Sequence, residues 1–455
     1  MRRILPSLLA LAALAACKKQ DQGSGMMSPD ATGPIVIGEV GSMTGTEATF
    51  GLSSANGIQL AIDEFNAKGG VKGRQLQVKV LDDQGRPEEA ATAATRLIAS
   101  EHVVALLGEV ASTRSMFMAP KAQQAKVPMV TPSSTNPAVT EKGDYIFRAC
   151  FIDPFQGYVG ATFAHDNLKV KKVAILKDVR NDYSVGLAKN FIEAFTKAGG
   201  QIVAQESYSN GDVDFKAQLT NIKAAAPQAL YVPGYYTDVG LIARQAREAG
   251  ITVPLLGGDG WDSEKLYEIG GDAIVGSYFS NHYSPDDPSP RIQEFVTKFK
   301  KAYGGQVPDS LAAQAYDAAG MLYDAMKRAN DISGPAIREA LAQTKDYRGV
   351  TGDITMDDKR NATKPAVVLR VGKGGKYEFS GRIQPEGMKE SNPAEAPRAN
   401  PDQPKKTEGN TAPNPAPGTT PTPTPAPAPG ATTSAQNAAT TGQRQGVPAG
   451  EHPKK

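Results

Sequence analysis

The stretch IVIGEV, Ile35–Val40, decides how this chain folds. It is a short apolar run, and after a loop it gives way to a helical stripe at Ala55, Ile58, Ile62 and Phe65. The same alternation continues outward. LQVKVL reads as a strand, and Pro87 then opens a helix at its first turn, where a missing N–H costs little. VVALLG and VPMVT read as further strands with a helix between them. A second series starts at KKVAIL and runs through a helix over 185–198, the strand QIVAQ, a helix over 215–224, the strand ALYVPG, a helix over 239–249 and the strand VPLLG. Strands that alternate with helices build βαβ units, hence parallel sheets covered on both faces. The fold class is therefore α/β, with two doubly wound, Rossmann-like lobes.

A long helix follows Tyr283, with a stripe at Ala312, Ala315, Tyr316, Ala319, Leu322, Tyr323 and Met326. The segment that carries it is too small for a third domain and is expected to return to the first lobe, while AVVLRV finishes the second. The chain would then cross between lobes about three times, which makes a hinge. This divides it into 34–153 plus 282–355 for lobe 1 and 154–281 plus 356–385 for lobe 2.

The two ends differ from this body. Arg2 and Arg3 precede an apolar run over 5–15, too short to span a bilayer of about 30 Å. The run ends in Leu14-Ala15-Ala16-Cys17, which resembles the bacterial lipobox. That resemblance implies a signal peptide over 1–16, cut before Cys17, with acyl chains on Cys17 and a tether over 17–33. One acyl chain holds a protein only marginally at a membrane, whereas two or three hold it firmly. An ordinary signal peptide that happens to contain a cysteine is the alternative. At the other end, 391–455 has Val447 as its only large aliphatic residue and is rich in Pro, Ala and Thr. Such a segment buries too little apolar surface to offset its ordering entropy and is expected to be a disordered, partly polyproline-II tail.

Composition narrows the function classes. The formal net charge is +2, and Arg2 and Arg3 of the signal account for both. A near-neutral body argues against nucleic acid as a partner, because that partner demands a basic face. Cys150, the second of two cysteines, has no partner for a disulfide and reads as a small buried hydrophobe, with a reactive thiol as the alternative. HExxH, CxxC, GxGxxG, P-loop and GxSxG motifs are missing. His102, His165, His282 and His452 are scattered and are expected at the surface or at boundaries. Asp82 and Asp83 end a strand ahead of the Pro87 helix and read as a turn. No enzyme, metal or cofactor is expected.

Two hydroxyl-rich loops stand out instead. GEVAST, Gly108–Thr113, and TPSSTNP, Thr131–Pro137, each follow a predicted strand. The carboxyl ends of strands are where open α/β sheets bind ligands. Hydroxyls and free N–H groups at helix starts suit a carboxylate. The alternative is that Ser112, Ser133, Ser134 and Thr135 are caps and turn formers.

In order and spacing, GSMTGTEATFGLSSANGIQLAIDEFNAKGGVKG, LLGEVAST, PMVTPSSTNPAVT, DYSVGLA, LYVPGYYTDVGLIARQAREAG and LLGGDGWD resemble the leucine/isoleucine/valine-binding family of periplasmic proteins, which serve ABC importers. The likeness runs from Ile35 to about Ile383. It implies the type I periplasmic binding protein fold and an amino acid, branched-chain or otherwise aliphatic, held between the lobes. It further implies delivery to an inner-membrane permease by a monomer tethered in the periplasm through Cys17. Carried over by position, Ser112 binds the ligand's carboxylate and Thr135 meets both the carboxylate and the ammonium. Ser133 contributes its carbonyl, Tyr183 and Tyr235 close over the ligand from the second lobe, Asp259 takes the ammonium, and Phe50 packs the side chain. Trp261 would line the pocket or sit in the core. Asp259 stands where many aliphatic-selective members have glutamate, and Ser133 and Ser134 are more polar than an aliphatic ligand requires. A polar amino acid or an amide is therefore the alternative ligand class, and a sensor of the same fold is the alternative role.

Overall fold

The computed structural model describes residues 33–385. The expected signal peptide, Cys17 and the Pro-rich tail lie outside the described residues. Two sheets organise the chain. The first is built from β1 (Ile35–Gly41), α1 (Ala48–Ala67), β2 (Leu76–Asp82), α2 (Pro87–Ala99), β3 (Ala105–Gly108), α3 (Ser112–Ala125), β4 (Met129–Thr131) and β5 (Ile146–Arg148). All neighbours in it are parallel, in the order β2-β1-β3-β4-β5.

The second follows α4 (Asp153–Thr162). It contains β6 (Lys172–Asp178), α5 (Asp182–Lys197), β7 (Gln201–Tyr208), α6 (Lys216–Ala224), β8 (Ala229–Tyr231), α7 (Tyr236–Glu248), β9 (Leu255–Gly257), α8 (Lys265–Gly270) and β10 (Tyr278–Asn281). The chain then returns through α9 (Pro290–Ala302), α10 (Ser310–Arg328) and α11 (Gly334–Ala342). A three-stranded sheet comes next, made of β11 (Tyr347–Gly349), β12 (Gly352–Met356) and β13 (Ala362–Thr363). The fold ends in β14 (Ala366–Val371) and β15 (Tyr377–Ile383). β14 joins the second sheet antiparallel to β10, and β15 pairs antiparallel with β14, giving the order β15-β14-β10-β9-β8-β6-β7.

The central parallel strands β3, β4, β8 and β9 are short and apolar because both faces are covered. In β3 and β4 every residue is buried. α10 returns to pack along α1, with Ala315, Ala319, Leu322 and Met326 in one core with Ile58, Ile62 and Phe65. Gly57 makes the approach possible, since a Cβ there would lie 2.1 Å from the Ala312 carbonyl oxygen. Ile354, Met356 and Ala362 join this same core, so the chain stays with the first lobe past residue 355. It changes sheets three times, after β5, after β10 and between β13 and β14.

Both sheets have a point where strand order reverses, between β1 and β3 and between β6 and β8. A crevice outside the carboxyl ends of the strands belongs at such a point.

Candidate functional site

The ligand-binding residues expected from the resemblance all lie just beyond the carboxyl ends of strands. Ser112 opens α3 after β3, Ser133 and Thr135 follow β4, Tyr183 lies in the first turn of α5 after β6, Tyr235 follows β8, and Asp259 follows β9. Phe50 is in the first turn of α1, after β1. Phe50, Ser112, Ser133, Tyr183, Tyr235 and Asp259 line one cavity together with Val110, Gly260 and Leu311. Its volume is about 10 Å³, the room of a single water. The lobes therefore have to part before anything larger can enter. A larger hollow of about 430 Å³ lies at the opposite end of the second sheet. There the Arg247 guanidinium is taken up by the carbonyls of Ile251, Val253 and Ala273, and the walls are open to solvent.

The hydroxyl loops divide their labour. Thr131 Oγ1 donates to the Glu109 carbonyl, and Ser134 Oγ donates to the Val110 carbonyl at 2.9 Å and meets Ser115 Oγ at 2.7 Å. These bonds stitch GEVAST to TPSSTNP, and neither Thr131 nor Ser134 is among the residues that line the cavity. Ser134 is thus a turn former, and its polarity says nothing about the ligand. Arg148, wholly buried, donates to the carbonyls of Ser134 and Asn136 and fixes the loop from behind. Ser112 Oγ accepts from Asn136 N at 3.2 Å, and Ser133 Oγ accepts from Gln314 Nε2 at 3.2 Å. Thr135 Oγ1 is buried and has no hydrogen-bond partner among the described residues.

On the other side, Tyr183 and Tyr235 stack with ring centroids 5.4 Å apart, and Phe50 meets Tyr235 edge-on at 5.3 Å. Tyr183 OH accepts from Gly260 N at 3.2 Å, and burial pushes its pKa well above the usual tyrosine value. It is a neutral wall. Asp259 accepts from Gln156 Nε2 at 2.7 Å and pairs with His282 Nε2 at 3.0 Å. Trp261 is fully buried, its Nε1 donating to the Val232 carbonyl at 3.0 Å, so it belongs to the core.

Sequence reasoning missed Asp153, Gln156 and His282. The His282 side chain is fully buried, against the expectation of a surface or boundary position. Asp153 opens α4, and both of its carboxylate oxygens are buried with no partner among the described residues. Burial, with the Asp259 charge adding to it, pushes the Asp153 pKa up to about 7. Nothing in DPFQG marks this acid, because only the first crossing brings it beside Thr135, whose carbonyl accepts from Asp153 N at 2.9 Å. Asp83 also exceeds its expected turn. It is buried, accepts from Ser42 Oγ at 2.8 Å and lies 3.9 Å from Arg114, which pairs with Glu109 at 3.1 Å and Glu47 at 3.3 Å.

Polar contacts bracket the cavity from lobe to lobe. Thr237 Oγ1 donates to the Thr46 carbonyl at 2.7 Å, Thr49 Oγ1 meets Ser263 Oγ at 3.0 Å, and Asp182 N donates to Thr113 Oγ1 at 3.0 Å.

Comparison with known proteins gives this arrangement a context. The family model described as periplasmic binding protein matches residues 34–376. The Leu/Ile/Val-binding protein homolog 3 of Brucella melitensis is 30% identical over 335 residues, which is 73% of this chain and 89% of that protein. Among solved structures, the leucine binding protein LivK of Thermotoga maritima is 42% identical with a TM-score of 0.74, covering 78% of this chain and all of that one. The substrate binding protein LivJ of Streptococcus pneumoniae, solved in complex with isoleucine, is 34% identical with a TM-score of 0.73, covering 77% of this chain and all of that one.

Proposed function

The chain belongs to the periplasmic binding protein family, in its Leu/Ile/Val-binding branch, and from that premise we propose that it captures a free α-amino acid between its lobes for an ABC permease. In this reading Cys17 carries the lipid that holds the protein at the periplasmic face of a membrane. The observation that supports it best is the convergence of six side chains from both sheets on one cavity, with donors on one wall and acid on the other.

The chemistry follows from the ligand's two charges. An α-amino acid carries opposite charges on one carbon, and burying either without a partner costs several kcal/mol. Ser112, with the free N–H groups at the start of α3, receives the carboxylate, helped by the positive end of the helix dipole. Asp259 receives the ammonium. Thr135 is proposed to meet the carboxylate and the ammonium as well, although neither it nor the neighbouring Asp153 is among the residues that line the closed cavity. Phe50, Val110, Leu311 and Tyr235 enclose an aliphatic side chain. Closure draws on whatever affinity the shut form has beyond the open one, since equal binding to both shifts nothing.

A polar amino acid is the second reading. Ser133 Oγ lines the cavity, and the Oε1 of its partner Gln314 has no other bond among the described residues, which would suit a ligand side chain with a donor.

A thermal-shift screen of single amino acids decides between these readings, because a ligand at a hundred times its Kd adds about 2.7 kcal/mol to stability. Leucine, isoleucine or valine should raise the Tm most, and 4-methylpentanoate, which lacks the amine, should not raise it. Asp259→Asn should weaken the best ligand about tenfold or more. A flat screen, or equal shifts with and without the amine, rejects the amino-acid reading.

A further inference from the structure

Asp259 makes its two side-chain bonds away from the cavity, and both partners come from parts of the chain that join the lobes. Gln156 lies in the first turn of α4, just past the first crossing, and His282 follows β10 at the start of the second. The His282 ring stacks on Phe151, with centroids 3.8 Å apart and planes inclined by 20°. Phe151 lies on the first crossing. Lys364, on the third, is buried, with its Nζ donating to the Ala149 carbonyl and to Thr351 Oγ1. All three crossings therefore meet within one buried cluster behind Asp259.

Burial pulls the His282 pKa down to about 4, with the Asp259 hydrogen bond acting against it and the Lys364 charge with it. The imidazole is neutral at neutral pH. Facing a carboxylate that can only accept, Nε2 carries the ring's proton, and Nδ1 has no partner among the described residues. The stack on Phe151 would accept any flat ring. The nitrogen serves Asp259 alone.

We propose that His282 is a positioning residue that acts through Asp259: its Nε2–H fixes the carboxylate toward the ligand's ammonium, and its stack on Phe151 ties that carboxylate to the hinge. The proposal rests on the amino-acid reading of the site. A carboxylate held by two donors keeps one orientation, so less freedom is lost when the ammonium arrives. Phe151 and His282 lie on different crossings, so the stack joins two parts of the hinge behind Asp259.

Isothermal titration of leucine into the full chain and four variants tests this. His282→Phe keeps a ring for the stack and removes the donor, and leucine should bind about 10- to 100-fold more weakly, as expected for a lost hydrogen bond to a charged group. His282→Gln restores an N–H and should return affinity to within about fivefold of the wild type. Adding His282→Phe to Asp259→Asn should cost less than about threefold beyond Asp259→Asn alone, because the donor's only recipient has already lost its charge. If His282→Phe does not fold, His282→Leu takes its place in each comparison. Glutamine no better than phenylalanine, or full additivity with Asp259→Asn, overturns the positioning role. Loss of affinity in Asp259→Asn with none in His282→Phe rejects that role alone, whereas unchanged affinity in Asp259→Asn rejects the amino-acid reading and the proposal with it.

Discussion

Glu39 lies in β1 with its side chain wholly inside the first lobe, and its Oε1 has no partner among the described residues. Burial alone pushes its pKa from 4.5 up to about 8. The folded state therefore holds a proton that the unfolded chain releases above about pH 4.5. Stability falls as pH rises from there and stops falling near pH 8, with a total on the order of a few kcal/mol at about 1.4 kcal/mol per pKa unit. Glu39→Gln keeps the shape and removes the ionisation. Its denaturation midpoint should match the wild type at about pH 4.5 and exceed it increasingly up to about pH 8. A constant difference across that range would mean that Glu39 finds a partner when ionised. The site shows at this same scale how far the sequence could be read. Ser112 and Ser133 were legible as cavity-lining residues because hydroxyls crowd two loops at strand ends, whereas Thr135, from the same loop, is not among the residues that line the cavity. Ser134 looked the same and serves the loop. Asp153, Gln156 and His282 carried no local signal, since only the crossings of the chain bring them to Asp259.

Among the elements, the pairing of α1 with α10 leaves little tolerance. Phe65 stacks on Tyr323 at 4.0 Å, and Gly57 faces the backbone of Ala312 with no room for a methyl group. Gly57→Ala gains about 1 kcal/mol of helix propensity but forces backbone apart, and overpacking of this kind costs about 1–3 kcal/mol. We expect a net loss of stability, seen as a lower urea midpoint with an unchanged slope. A raised midpoint would show that the two helices separate without cost. The alternation of strands and helices was legible because both series keep their apolar periods. β5, α4, α8, β10, α9, α11, β11–β13 and β15 were not singled out. β5 has only three residues, and α9 and α11 bury apolar faces against partners that lie far away in sequence. The helix expected over 239–249 starts earlier, at Tyr236, because Tyr235 and Tyr236 look like strand residues yet face the cavity and the core from a helix start.

The whole molecule repeats one plan. Each of the two large sheets reverses its strand order once, and the two reversals face each other across the cavity, so its lining residues, Leu311 of α10 apart, lie at the carboxyl ends of strands. Three crossings hold the halves together, and Cys150 sits in the first of them with no exposure, its Sγ 3.3 Å from the Ser134 carbonyl. Burial pushes its pKa up to about 12, which leaves almost no thiolate at neutral pH. With Cys17 replaced by serine, a maleimide dye would find this sulfur only when the joint lets go. The coupling rate in dilute urea then becomes a clock for breakage of the joint, slower by orders of magnitude than for glutathione. Dye uptake as fast as glutathione's would mean that the joint is already loose in the native protein.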